Sequence, residues 1–149
     1  MEKLIGYINY SPVDEIVLFS AYGVETRSNA GDYIGFTGFH AEHGSQFDLR
    51  TGTFVAPING VFEFDFSLYY QLKYSYYDAR VEVELNGRKV LSVRAQRPTD
   101  KGDHLSYFGH HWILNMYQND RIRLKVITGQ IPSGADAYNV FNGKYVRPL

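Results

Sequence analysis

The chain contains no cysteine, which excludes disulfide bonds and thiolate metal sites. It has no apolar run near the roughly 20 residues that a membrane-spanning helix needs, so we expect no insertion into a membrane. The formal net charge is -1, and the cationic excess of nucleic-acid-binding proteins is therefore missing. At 149 residues, the chain has the length of one domain that can bury a core without covalent staples.

The common motifs of catalysis are missing as well. The sequence has no Gly-x-Ser-x-Gly pattern, no glycine-rich phosphate loop and no cysteine nucleophile. Two acids close in sequence, Glu63 and Asp65, fall on the outward side of a predicted strand, where solvated charge is expected rather than the cleft of a hydrolase. The sequence therefore predicts a protein that is not an enzyme.

Aromatic residues are abundant, at 16% of the chain, and they are arranged as in strands. Phe62, Phe64 and Phe66 alternate with Glu63 and Asp65, which predicts a strand with one buried and one wet face. Similar short segments recur at 16–21, 33–39, 47–49, 53–56, 61–70, 80–85, 89–94, 105–117, 121–127 and 138–147. Strands at this spacing, with no amphipathic helix, predict an all-β jelly-roll sandwich of two antiparallel sheets.

The histidines form two clusters that allow different interpretations. His40 and His43 are three residues apart, a spacing that suits a metal on a helix, but this segment is predicted to be strand and loop. In the second cluster, His104, His110 and His111, the last two point to opposite faces of a strand and cannot easily share an ion. We favour structural or surface roles for the histidines and assign no metal site. A histidine near the symmetry axis of an oligomer could instead titrate and sense pH.

Several of these segments together resemble the globular C1q domain, a jelly roll of the C1q/TNF superfamily. The resemblance lies in Val17–Ala21, Phe47-Asp48, Thr51–Pro57, Gly60–Phe66, Leu85–Gly87 with Val90, Asn119-Asp120, Phe141–Gly143 and Pro148-Leu149. The core signature comprises Phe19, Phe36, Phe47, Phe54, Gly60, Phe62, Phe64, Phe66, Phe141 and Gly143. The collagen-like Gly-X-Y stalk common in that family is missing from this chain.

The resemblance implies a domain at 15–149 after an N-terminal arm at 1–14, and it places segment 80–85 beside segment 121–127 with opposite charges facing each other. It also implies a homotrimer that is secreted or displayed on a cell surface. The implied function is non-enzymatic recognition of protein or glycan ligands in innate immunity or adhesion. One alternative is a structural or trimerisation unit of an extracellular matrix, coat or cement. The other is an intracellular interaction domain, because the first residues show no signal peptide.

Candidate ligand-binding residues lie in two predicted loops. The first loop, 71–79, contains Tyr74, Tyr76 and Tyr77. Tyrosines are frequent at binding surfaces, but these three could instead pack between subunits. The second loop, 96–104, holds a calcium ion in some C1q-like domains; here its acids, Asp100 and Asp103, are separated by a lysine, and a solvated turn is the alternative. We expect no obligatory cofactor. The ligand-binding candidates are Tyr74, Tyr76, Tyr77, Arg97 and His104.

Overall fold

The computed structural model describes residues 15–72, 78–96, 104–134 and 139–149. The predicted arm at 1–14 lies outside these ranges. The described residues form antiparallel strands and no helix. The strands are β1 (Leu18–Val24), β2 (Phe36–His43), β3 (Gln46–Asp48), β4 (Thr53–Val55), β5 (Gly60–Leu72), β6 (Asp78–Leu85), β7 (Arg88–Gln96), β8 (His104–Met116), β9 (Arg121–Thr128) and β10 (Val140–Arg147).

The strands stack in two layers. One layer is a five-stranded sheet of order β3-β4-β9-β6-β7. The other combines the sheet β10-β5-β8 with the pair β1-β2, because backbone hydrogen bonds join β1 to β10 near both of its ends. Tyr145 N–H donates to the Val17 carbonyl at 2.9 Å and Gly23 N–H donates to the Asn139 carbonyl at 3.0 Å. The predicted all-β jelly-roll sandwich is confirmed.

One predicted strand is divided between the two layers. The sequence predicts a single strand at 33–39, but β2 begins only at Phe36. Tyr33 instead forms a bridge with Lys125 of β9, and Ile34 N–H donates to the Leu124 carbonyl at 3.0 Å. The segment before β2 therefore extends the edge of the five-stranded sheet, and the chain then crosses to the other layer.

The turn between β6 and β7 has the geometry that its sequence predicts. Asn86 and Gly87 both have positive φ, at 53° and 82°, which two-residue hairpin turns of type I′ require. Leu85 pairs with Arg88 across this turn. The predicted Asn-Gly hairpin is therefore confirmed, and it fixes the register of β7 against β6.

Phenylalanine rings fill the space between the layers. The ring centroid of Phe19 lies 5.1 Å from that of Phe141 and 4.5 Å from that of Phe47. A Cβ at Gly143 would collide with the Phe19 ring, so only glycine fits there. Phe47 itself is only partly buried at the edge strand β3, and it packs against the core. The rings that are almost fully buried are Phe19, Phe36, Phe54, Phe62, Phe64, Phe66 and Phe141.

Candidate functional site

Most of the ligand-binding and calcium candidates lie outside the described residues. This applies to Tyr74, Tyr76, Tyr77, Arg97, Asp100 and Asp103. His104 begins β8, and its backbone pairs with Leu72 of β5. The assignment of ligand contacts to these residues stays a prediction. The described parts of the chain nevertheless contain two outward faces of very different character.

The outward face of the sheet β10-β5-β8 carries large exposed apolar side chains. Alternate residues of a strand point to opposite sides, so β8 turns Trp112 and Met116 inward and Ile113 outward. Ile113 is 61% exposed, Tyr107 of the same strand is 63% exposed and Tyr117, just after β8, is 64% exposed. Val146 of β10 is also exposed. We call the surface formed by Tyr107, Ile113, Tyr117 and Val146 the apolar face.

A compact charged cluster lies among these apolar side chains. Lys144 Nζ lies 2.9 Å from one carboxylate oxygen of Glu63, and His111 Nε2 lies 3.6 Å from the other. The hydrogen bond from Lys144 lowers the pKa of Glu63 against the opposing effect of burial, and Glu63 in turn raises the pKa of Lys144. Next to the cluster, Asn142 Nδ2 donates to Asp65 at 2.9 Å. The acids of this face are thus partnered by neighbouring strands.

The outward face of the five-stranded sheet is cationic. Its central strand β9 points Arg121, Arg123 and Lys125 outward, and the neighbouring β6 supplies acids in register: Glu84 lies opposite Arg123 and Glu82 opposite Lys125. This pairing confirms the predicted juxtaposition of 80–85 with 121–127. We call the surface formed by Arg121, Arg123, Lys125, Glu82 and Glu84 the charged face.

One predicted outward acid of the charged face is buried. Glu84 points away from the core, yet it is only 6% exposed because Tyr33 covers it. The Tyr33 hydroxyl donates to Glu84 Oε1 at 2.8 Å, and Arg123 Nε lies 3.7 Å from the same oxygen. The Arg123 guanidinium also stacks 3.5 Å from the centre of the Tyr33 ring. Burial and the bond to Glu84 raise the pKa of Tyr33, so at neutral pH its hydroxyl keeps the proton that it donates.

Two depressions open on the charged face and share three residues. One, of about 540 Å³, is lined by the β3-β4 hairpin and by Arg121 and Arg123 of β9. The other, of about 350 Å³, lies toward the β6-β7 turn and includes Asn86. Thr53 of β4 and the two arginines line both depressions. We call this combined feature the arginine groove.

Within the described residues, no three histidine or acidic side chains are grouped so that they could hold a metal ion. The same ranges contain no helix of the length and hydrophobicity required to cross a membrane.

This two-layered antiparallel sandwich is a jelly roll. A family model for the C1q domain matches residues 18–146. The chain therefore belongs to the C1q domain family, and the resemblance inferred from the phenylalanine signature is confirmed.

Curated relatives and solved structures agree with this assignment. Complement C1q tumor necrosis factor-related protein 3 of Mus musculus and that of Homo sapiens are each 27% identical to the chain over 133 residues. The match covers 89% of this chain and 52% of either relative, so the chain spans about half the length of these curated relatives.

Two solved structures have the same fold. Eiger TNF from S. frugiperda superposes with a TM-score of 0.74 at 11% identity, covering 90% of this chain and 94% of that one. The globular domain of zebrafish complement 1qA gives a TM-score of 0.66 at 17% identity, covering 89% and 99%. At these identities the likeness shows a shared fold alone.

The residues of the apolar face, the cover that Tyr33 forms over Glu84 and the arginine groove were not predicted from the sequence. Tyr107, Ile113 and Tyr117 have the odd-numbered spacing of one strand side, and this pattern in the predicted strand 105–117 could have identified an apolar outward face. No local signal could have identified Tyr33, because its partner Glu84 lies 51 positions away. The arginine groove likewise depends on bringing β4 next to β9.

Proposed function

We propose that this C1q domain is a non-enzymatic recognition module that acts as a homotrimer, secreted or displayed on a cell surface, and binds protein or glycan ligands in innate immunity or adhesion. The observation that carries the proposal is the apolar face. A chain that buries most of its phenylalanines leaves Tyr107 and Ile113 of β8, and Tyr117 just after this strand, more than 60% exposed. Clustered exposure of this kind marks a contact surface.

A second copy of the chain is the proposed occupant of the apolar face. The C1q resemblance implies a ring of three subunits, and a ring uses two different surfaces of each subunit, so that one side of every protomer meets another side of its neighbour. Burying one large apolar side chain contributes about 1.5–3 kcal/mol, and a ring repeats that contribution three times. The internally paired charges of Glu63 and Lys144 reduce the cost of burying the polar part of this face.

Ligand recognition is assigned in this proposal to the loops and to surfaces away from the apolar face. Loops on a rigid scaffold commonly carry binding residues, and the predicted contacts Tyr74, Tyr76, Tyr77, Arg97 and His104 belong to this assignment. A purely structural trimerisation unit would share the apolar face but would bind no ligand. A glycan and protein array probed with the trimer separates the two.

Sedimentation equilibrium tests the assembly. The wild-type protein should sediment at three times its 17.1 kDa mass, and Ile113→Lys should shift it to the monomer because a charge would enter the interface. Val90→Lys is the matched control, since Val90 is an exposed apolar residue on β7 of the other layer. A monomeric wild-type protein, or equal effects of the two substitutions, would contradict the proposed interface.

A further inference from the structure

The three cationic side chains of β9 do not all lie opposite an acid. Arg123 lies opposite Glu84, and Lys125 lies opposite Glu82. Arg121 lies opposite Val55 of β4 instead, and within the described ranges its side chain forms no ion pair. Of the two arginines of β9, Arg121 is thus the one that faces no acid, and it lines both depressions of the arginine groove.

The acids near Arg121 are already engaged with other donors. Asp120, the preceding residue, accepts from Asn86 Nδ2 at 2.9 Å and from Tyr117 N–H at 2.8 Å. Asp48 lines the larger depression and accepts from Arg50 N–H at 2.9 Å. The smaller depression has no acidic lining residue among those described. Its end of the groove is therefore the electropositive end.

Arg123 is held in place before any ligand arrives. Its guanidinium is stacked on Tyr33 and contacts Glu84 through Nε. A guanidinium carries five N–H donors, so this single contact leaves donors for a ligand oxygen. Arg121 and Arg123 are two residues apart on one side of a strand, roughly 7 Å along it, and together they form a wide donor surface for an oxyanion.

The remaining lining of the groove is mainly polar, with Phe47 and Val55 as the apolar residues of the larger depression. Hydroxyl and amide groups line the larger depression through Ser45, Gln46, Thr51 and Thr53. Such groups both donate and accept hydrogen bonds, as the hydroxyls of a sugar do. A peptide would need apolar pockets for its anchoring side chains, and this groove offers few.

We propose that the arginine groove binds an anionic saccharide, with its sulfate or carboxylate at Arg121 and its hydroxyls along the β3-β4 hairpin. This inference rests on the proposed recognition function and gives it a site and a ligand class. The site lies on the charged face, in the layer opposite the apolar face, so it is expected to bind in the monomer as well as in the trimer.

Calorimetric titration with three probes tests the proposal: a sulfated hexasaccharide, the same saccharide without sulfate, and a hexaglutamate peptide. The wild-type protein should bind the sulfated saccharide at least about tenfold more tightly than the other two probes. Arg121→Gln should weaken that binding about tenfold or more. Arg121→Lys should recover only part of it, because the ammonium retains the charge without the planar fork.

Arg27→Gln is the matched control, because it removes the same charge from an exposed loop arginine outside the groove. It should leave the affinity within about twofold of wild type. Equal losses in Arg27→Gln and Arg121→Gln, no wild-type binding of the sulfated saccharide, or tighter binding of the peptide would overturn the site. Titrating the Ile113→Lys variant with the sulfated saccharide separates the saccharide site from the proposed trimer. If the monomeric variant still binds the saccharide, the groove is supported even if the wild-type protein is not a trimer.

Discussion

The two outward faces of the sandwich are both built from strands with alternating side chains, yet they differ in which charged and apolar side chains are exposed. The apolar face leaves Ile113 and two tyrosines exposed, while it pairs Glu63 with Lys144 and His111. The charged face buries its acid Glu84 and, among the residues that the structure describes, leaves Arg121 without an ion pair. One face thus combines exposed apolar side chains with paired charges, and the other exposes an arginine that faces no acid.

The difference follows from what each face costs to bury. A surface that enters a subunit contact loses its water, so its charges must be neutralised within it, whereas its apolar groups gain by burial. A surface that stays in water can carry an unpaired arginine at little cost, and there that arginine is available to a ligand. On this ground we propose assembly for one layer and recognition for the other.

The largest effect is expected for a substitution in the core that the two faces share. Phe64 is 1% exposed, and its ring lies 5.5 Å from that of Trp112 and 5.7 Å from that of Phe54. Phe64→Ala should lower the free energy of unfolding by about 3–5 kcal/mol, as measured by urea denaturation. Assembly and saccharide binding should then fail together on heating. If only one of them failed, the two faces would not share one cooperative core.

A smaller effect should separate two acids of the same strand. Glu84→Ala removes the acceptor of the Tyr33 hydroxyl and the partner of Arg123, and it should cost about 2 kcal/mol because charged hydrogen bonds are lost in a buried place. Among the described residues, the ion pair of Glu82 is a contact of 3.8 Å with Lys89, whose side chain is 58% exposed. Glu82→Ala should therefore cost less than about 1 kcal/mol. Equal losses in urea denaturation would show that Tyr33 does not organise the charged face.

The smallest effect concerns the charged cluster on the apolar face and depends on pH. Since Lys144 lowers the pKa of Glu63 below its ordinary 4.5, the native state favours the ionised acid. The stabilisation is complete above the ordinary pKa and is lost as the pH falls through the lower, folded value. The melting temperature of wild type should exceed that of Glu63→Gln near pH 7, and the gap should close on acidification.

Glu25→Gln, which changes an exposed loop acid, serves as the control for this titration and should melt within experimental error of wild type throughout. A gap between wild type and Glu63→Gln that stays constant into strong acid would contradict the role of the Lys144 hydrogen bond. It would also weaken the view that the apolar face neutralises its charges before assembly.

Much of the scaffold could be predicted from local pattern. The alternation of Phe62, Phe64 and Phe66 with acids predicted β5, and the burial of those rings agrees with it. Asn86-Gly87 predicted the hairpin because few other residue pairs accept two positive φ values. The prediction was incomplete at 33–39, where the chain changes layers, because a backbone hydrogen bond to a distant strand leaves no trace in the local sequence.

The sequence by itself determined the family and the core of this protein, because strand alternation and turn chemistry act between near neighbours along the chain. Only the tertiary structure decided that Glu84 is buried, that Glu63 forms an ion pair with Lys144 and that Arg121 faces no acid. Each of these states depends on which side chain a distant strand places opposite. The character of the two faces therefore depends on strand register, which folding alone establishes.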